Sequence, residues 1–121
     1  MKSRLVLFLL LAPVLAFPAS AVSSSDEARS SAARAPINVT LTEMKFRFAK
    51  LAARRGTIVF RLSNKGVVRH DMRIAGKRSP RIAPGRTITW RVAIAKAGRY
   101  RVVCTLPGHA AAGMRATFRV T

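Results

Sequence analysis

Apolar and polar residues alternate with a period of two through most of the chain beyond residue 36. Ile37, Val39 and Leu41 alternate with Asn38 and Thr40, and Met44, Phe46 and Phe48 alternate with Lys45 and Arg47. The same rhythm runs through residues 58–62, 88–92, 100–104 and 114–120. A period of two sets one face of a strand against a core and the other in water. Turn signals divide the runs: Arg55-Gly56, Asn64-Lys65-Gly66, Pro84-Gly85, Ala97-Gly98 and Pro107-Gly108. About seven short strands with no helical stretch between them predict an antiparallel β-sandwich.

The N-terminal region follows a different pattern. Lys2 and Arg4 precede an apolar stretch over residues 5–17, and Pro18-Ala19-Ser20-Ala21 supplies the small residues of a cleavage site. This predicts a signal peptide over residues 1–21, and hence a periplasmic or extracellular protein. The stretch is broken by Pro13 and falls short of the roughly 20 residues a spanning helix needs, so no transmembrane segment is expected after cleavage. Residues 22–36 are rich in Ser and Ala and have too little apolar surface to offset the entropy of ordering them, which predicts a flexible linker. Residues 37–121 are the expected folded domain.

Charge adds a second theme. The 121-residue chain has 23 Lys and Arg against four Asp and Glu, a formal charge of +19. Within residues 37–121 the only acids are Glu43 and Asp71. Arginines at outward strand positions keep their guanidinium groups hydrated and cover the sheet with their stems. Their summed field attracts an acidic partner or an anionic envelope surface, and salt weakens it. Nucleic acid is not expected as a partner. The chain has one Trp and one Tyr, and its aromatics fall mostly on inward positions rather than on a stacking face.

Candidate chemistry is confined to a few residues. A single cysteine excludes an internal disulfide and any cysteine-only zinc or iron–sulfur site. That cysteine, Cys104, closes a strand and is followed by a Pro-Gly turn, then His109, then Met114 at the head of the next strand. Soft sulfur donors with imidazole nitrogen select copper, and two histidines with one cysteine and a distant methionine make a blue-copper arrangement. The second histidine it needs can only be His70, the other one in the chain.

The pattern Gly98-x-Tyr100-x-x-x-Cys104-x-x-Pro107-Gly108-His109-x-x-x-Gly113-Met114, preceded by Asn64-x-Gly66-x-x-x-His70, resembles that of the cupredoxins, the plastocyanin- and azurin-like small blue copper proteins. The resemblance covers residues 37–121. It implies an all-β, Greek-key β-sandwich of seven to eight strands with one type 1 copper at one end. His70, Cys104 and His109 would be equatorial ligands and Met114 the axial one. It also implies a monomer that carries single electrons between redox partner proteins, with no catalytic residues. Met44 and Met72 lie outside the ligand loop and are expected in the core.

One residue departs from the family pattern. Asp71 follows the first histidine where plastocyanin and azurin have Asn. Its carboxylate could accept an N–H from the loop around Thr105, and it brings negative charge near the metal. Leu106, Pro107 and Ala110 to Ala112 surround His109 with apolar groups and would form the docking surface and the electron's exit. Three readings stay open: an electron carrier, a copper-binding or delivery protein using the same ligands, and a copper-free cationic sandwich that binds anionic surfaces. An enzyme is not expected, because nitrite reductases and multicopper oxidases need histidines beyond the two present.

Overall fold

Alternating residues become strands wherever one face can be buried. The computed structural model describes residues 34–121; the expected signal peptide and all but the last three residues of the expected linker lie outside them. Among the described residues the strands are β1 (Ile37–Thr42), β2 (Lys45–Phe48), β3 (Ala52–Ala53), β4 (Gly56–Asn64), β5 (Arg73–Ile74), β6 (Lys77–Arg78), β7 (Thr87–Ile94), β8 (Gly98–Val103) and β9 (Arg115–Val120). They form a β-sandwich of a four-stranded sheet, β2-β1-β4-β7, on a five-stranded sheet, β3-β9-β8-β5-β6. No helix among the described residues is long and apolar enough to cross a membrane.

The six alternating runs of the sequence are β1, β2, β4, β7, β8 and β9. The other three strands have two residues each, too few to show a period. Two pairings correct the expectation of an antiparallel sandwich: β1 runs parallel to β4, and β3 runs parallel to β9. Alternation reports which face of a strand is buried but carries no information about its neighbour's direction. Met44 also sits differently. It lies in the turn between β1 and β2 with φ of 63° and packs half-buried against the core.

Inward side chains of the two sheets interdigitate. Leu41, Phe60, Leu62 and Val92 from one sheet meet Val102, Phe118 and Val120 from the other. Phe60 and Phe118 are fully buried and pack edge-to-face across the gap, with centroids 5.4 Å apart. Met72 and Met114 are fully buried as well.

The strand directions gather one set of loops at one end of the sandwich. The registers Leu41↔Asn64, Ser63↔Thr87 and Val103↔Arg115 put the ends of β1, β4 and β8 beside the starts of β7 and β9. The turn at residues 43–44, the loop at 65–72 and the loop at 104–114 therefore converge there. Truncating the cross-sheet aromatic should test the packing. Phe118→Ala is expected to cost about 3–5 kcal/mol, read as the shift in a urea unfolding curve; a loss below about 1 kcal/mol would contradict the interlocked core.

Candidate metal centre

Each converging loop is held by side chains that replace strand hydrogen bonds. Asn64, buried at the end of β4, donates through Nδ2 to the carbonyls of Val68 and Ile82, both at 2.8 Å, and accepts the Gly66 N–H at 2.9 Å. His70 and Ile82 exchange backbone hydrogen bonds as an isolated antiparallel bridge. Ser79 accepts the Met72 N–H at 3.0 Å. The segment that carries His70 is thus clamped from three sides.

The loop from Cys104 to Met114 closes on its own backbone. Cys104 N–H donates to the Met114 carbonyl at 3.2 Å, and Met114 N–H donates to the His109 carbonyl at 3.0 Å. Gly113 has φ of 111°, a conformation that a side-chain-bearing residue adopts only under strain, and from there the chain enters β9. Asp71 ties this loop to the His70 segment. Its buried carboxylate accepts the Thr105 N–H at 2.7 Å and the Thr105 hydroxyl at 2.5 Å. This is the contact the sequence suggested for the residue that departs from the family's Asn.

Three candidate ligands meet at this junction. One donor atom each from His70, Cys104 and His109 lies within 4.8 Å of the others. Cys104 Sγ is 3.4 Å from His109 Nδ1, and the two imidazole centroids are 5.1 Å apart. His70 and Cys104 are buried and His109 is half-buried. Met114, fully buried, is joined to the cluster through the two backbone bonds that close the loop.

Glu43 is a participant that the sequence did not single out. Its Oε1 accepts the N–H groups of Val67 (2.8 Å) and Val68 (3.0 Å) and lies 3.3 Å from His70 Nε2. These backbone bonds, led by Val68, hold its carboxyl below the usual range. Gly66 makes room for it: a Cβ there would stand 2.8 Å from the Glu43 carboxyl carbon. A lone acid in the turn between two strands gave no sign of this role, because its partners lie 24 to 27 residues away.

Protonation follows from the geometry. Burial lowers the pKa of His70, with Glu43 opposing, so the ring is neutral near pH 7. A carboxylate only accepts, so the proton of the neutral ring sits on Nε2 and Nδ1 keeps a lone pair. That Nδ1 is the buried side-chain nitrogen or oxygen among the described residues with no hydrogen-bond partner. Burial also pushes the Cys104 thiol up, although the backbone amides of Asp71 and Leu106 favour the thiolate. A bound metal must displace that proton. A bare imidazole nitrogen, a second imidazole and a thiol fit a single type 1 copper.

Val67 and Val68 are 81% and 39% exposed, two of the three exposed large apolar side chains among the described residues. They precede His70, while Leu106 and Ala110 are half-buried and Pro107, Ala111 and Ala112 exposed around His109. The end of the sandwich is therefore apolar on both histidine loops. The valine pair was not legible as surface, since nothing local distinguishes it from the start of a buried strand.

Solved structures share this architecture. A dithionite-reduced auracyanin from Roseiflexus castenholzii superposes with a TM-score of 0.62 at 19% identity, over 69% of this chain and 94% of its own. Auracyanin A from Chloroflexus aurantiacus, a blue copper protein, gives 0.57 at 19% identity over 72% of this chain and 100% of its own. A copper-containing nitrite reductase from Thermus scotoductus gives 0.54 at 20% identity over 72% of this chain but 22% of its own. No curated protein matches in sequence. The model of the cupredoxin-like domain family matches residues 6–114, nearly the whole chain. The chain belongs to the cupredoxin-like domain family.

Proposed function

We propose that the protein is an exported, monomeric blue copper protein that carries single electrons between partner proteins outside the cytoplasm. The observation that carries this reading is the buried Nδ1 of His70, without a partner among the described residues, on a ring gathered with Cys104 and His109. His70, Cys104 and His109 would hold the copper, with Met114 as a weaker fourth donor. When bound, copper supplies a reversible one-electron couple. The chain's own residues hold the site rigid. Asp71 pins the cysteine side to the histidine side through Thr105, and Glu43 fixes the His70 ring and its tautomer. A site whose donors cannot move reorganises little when charge changes.

The apolar rim excludes water and gives a partner a surface to cover. His109 is the more exposed of the two imidazoles and serves as the electron's exit. A delivery protein needs the opposite property, a site that opens to release its ion. Clamping from Asn64, Asp71 and Glu43 supports the carrier reading over delivery.

Optical and electron paramagnetic resonance spectra of the Cu(II)-loaded protein test this most simply. An intense thiolate-to-copper band with rapid, reversible reduction is expected. A colourless complex, or Cu(I) binding with ready transfer to a competitor, would contradict it. Cys104→Ser should remove the band and leave the sandwich folded. Met114→Leu should keep copper and colour and raise the reduction potential, because an apolar neighbour disfavours the more charged Cu(II); complete loss of copper would contradict the weak-donor role, through a disrupted loop or a different geometry.

Glu43 should act through His70. Glu43→Ala is expected to lower Cu(II) affinity about 10- to 100-fold and to raise the potential. Glu43→Gln retains the acceptor, so it should restore most of the affinity while the potential stays high. Gly66→Ala should behave like Glu43→Ala by displacing the carboxylate. Potentials and competition titrations decide this, and an unchanged potential in all three variants would refute the role.

A further inference from the structure

The outer face of the five-stranded sheet carries Arg99 and Arg101 on β8, Arg115 and Arg119 on β9, Arg73 on β5 and Arg78 on β6, all exposed. They span three inter-strand steps, about 14 Å, by four residues of strand, about 13 Å. Arg99 stands directly opposite Arg119, and Arg73 directly opposite Arg78. Like charges directly opposite on neighbouring strands destabilise a sheet.

The other outer face is arranged differently. Its cations on β2, β4 and β7 are opposed by uncharged residues: Lys45 by Thr42, Arg47 by Thr40, Arg61 by Thr89 and Arg91 by Val59. Neither acid of residues 37–121 relieves the arginine face. Asp71 is buried on Thr105, and Glu43 is bound to the Val67–His70 segment. No arginine of this face is ion-paired among the described residues.

We propose that this face is a docking surface for an anionic phospholipid membrane. All six of its cations are Arg, whose planar fork binds phosphate oxygens in pairs and is less strongly hydrated than Lys. The face is the outer side of a sheet, and at its centre lie Thr117 and one half-buried valine, Val103, with no aromatic side chain. A specific protein interface centres on apolar and aromatic anchors with charge at the rim. A surface of charge alone suits a ligand that is itself an extended array of phosphates, where each Lys or Arg near the surface adds about 1 kcal/mol. An acidic protein is the weaker candidate for this reason.

The placement is consistent with the fold. The arginine face is a flank of the sandwich, and the histidine loops are at its end. A protein lying on this flank keeps the apolar end at its perimeter, free to meet a partner along the membrane plane. Docking needs no metal, so the proposal stands or falls independently of the electron-carrier reading.

The test is sedimentation of the full chain, metal-free and copper-loaded, with vesicles of equimolar phosphatidylglycerol and phosphatidylcholine, and with phosphatidylcholine alone, at physiological salt. Binding to the anionic vesicles only, equal for the two metal states, is expected. Changing Arg99, Arg101, Arg115 and Arg119 together to Gln should weaken it by about a hundredfold or more. The matched change of Lys45, Arg47, Arg61 and Arg91 to Gln removes the same charge from the other face and should cost no more than about tenfold.

Equal losses from the two sets would reduce the effect to bulk charge and overturn the proposal. So would a wild-type chain that binds both vesicle types alike or neither, or ready displacement from the vesicles by poly-glutamate at matched charge. If the fourfold variant does not fold, Arg99→Gln and Arg119→Gln singly should each weaken binding about fivefold. Each should also raise the melting temperature by relieving the opposed pair. A lower melting temperature together with unchanged vesicle binding would contradict the assignment.

Discussion

His70 buries a ring nitrogen that no group among the described residues satisfies, and an orphan of this kind costs about 1–3 kcal/mol in a folded protein. Much of the surrounding structure exists to hold it there. Asn64 clamps the segment leading to it, Ile82 pairs with its backbone, Glu43 takes its other nitrogen, and Asp71 joins the next residue to the cysteine strand. Left to itself the ring would turn its bare nitrogen toward water. Four restraints hold the ring beside Cys104 and His109. Both acids of a strongly basic domain are spent on this arrangement, and each restrains loops that meet at the copper end.

The sequence made part of this legible. Alternation exposed the six long strands because a half-buried strand can hardly be written otherwise. The spacing from Cys104 through His109 to Met114 was readable because one loop carries all three residues. His70 followed from inventory and from its place in the family pattern. Beyond the Asp71–Thr105 contact, what escaped was carried by contacts distant in sequence. Glu43 reaches its partners from another strand pair, and nothing local in a Thr-Glu-Met turn foretells that. Gly66 reads as a turn glycine, whereas its role is to leave space for a carboxylate. The parallel pairings of β1 with β4 and of β3 with β9 were equally invisible, since side-chain period does not encode direction.

Charge followed the same division. The excess of arginine was plain from composition, and its outward placement followed from the strand period. Its concentration as opposed pairs on one sheet depends on register, and register became known only with the fold. Lys77 begins β6 and donates to the Ala93 carbonyl of β7 on the opposite sheet. The molecule thus separates its chemistry spatially. Its end combines apolar rim and histidines, and one flank bears the densest unpaired charge.

A site held in one geometry by the protein, rather than shaped by the oxidation state of its metal, keeps the same ligands in both states. X-ray absorption at the copper edge, on the same preparation in its Cu(II) and Cu(I) forms, measures this directly. One sulfur and two imidazole nitrogens are expected in both forms, at distances that agree within about 0.2 Å. Loss of an imidazole on reduction, or a nitrogen-only shell without sulfur, would contradict it.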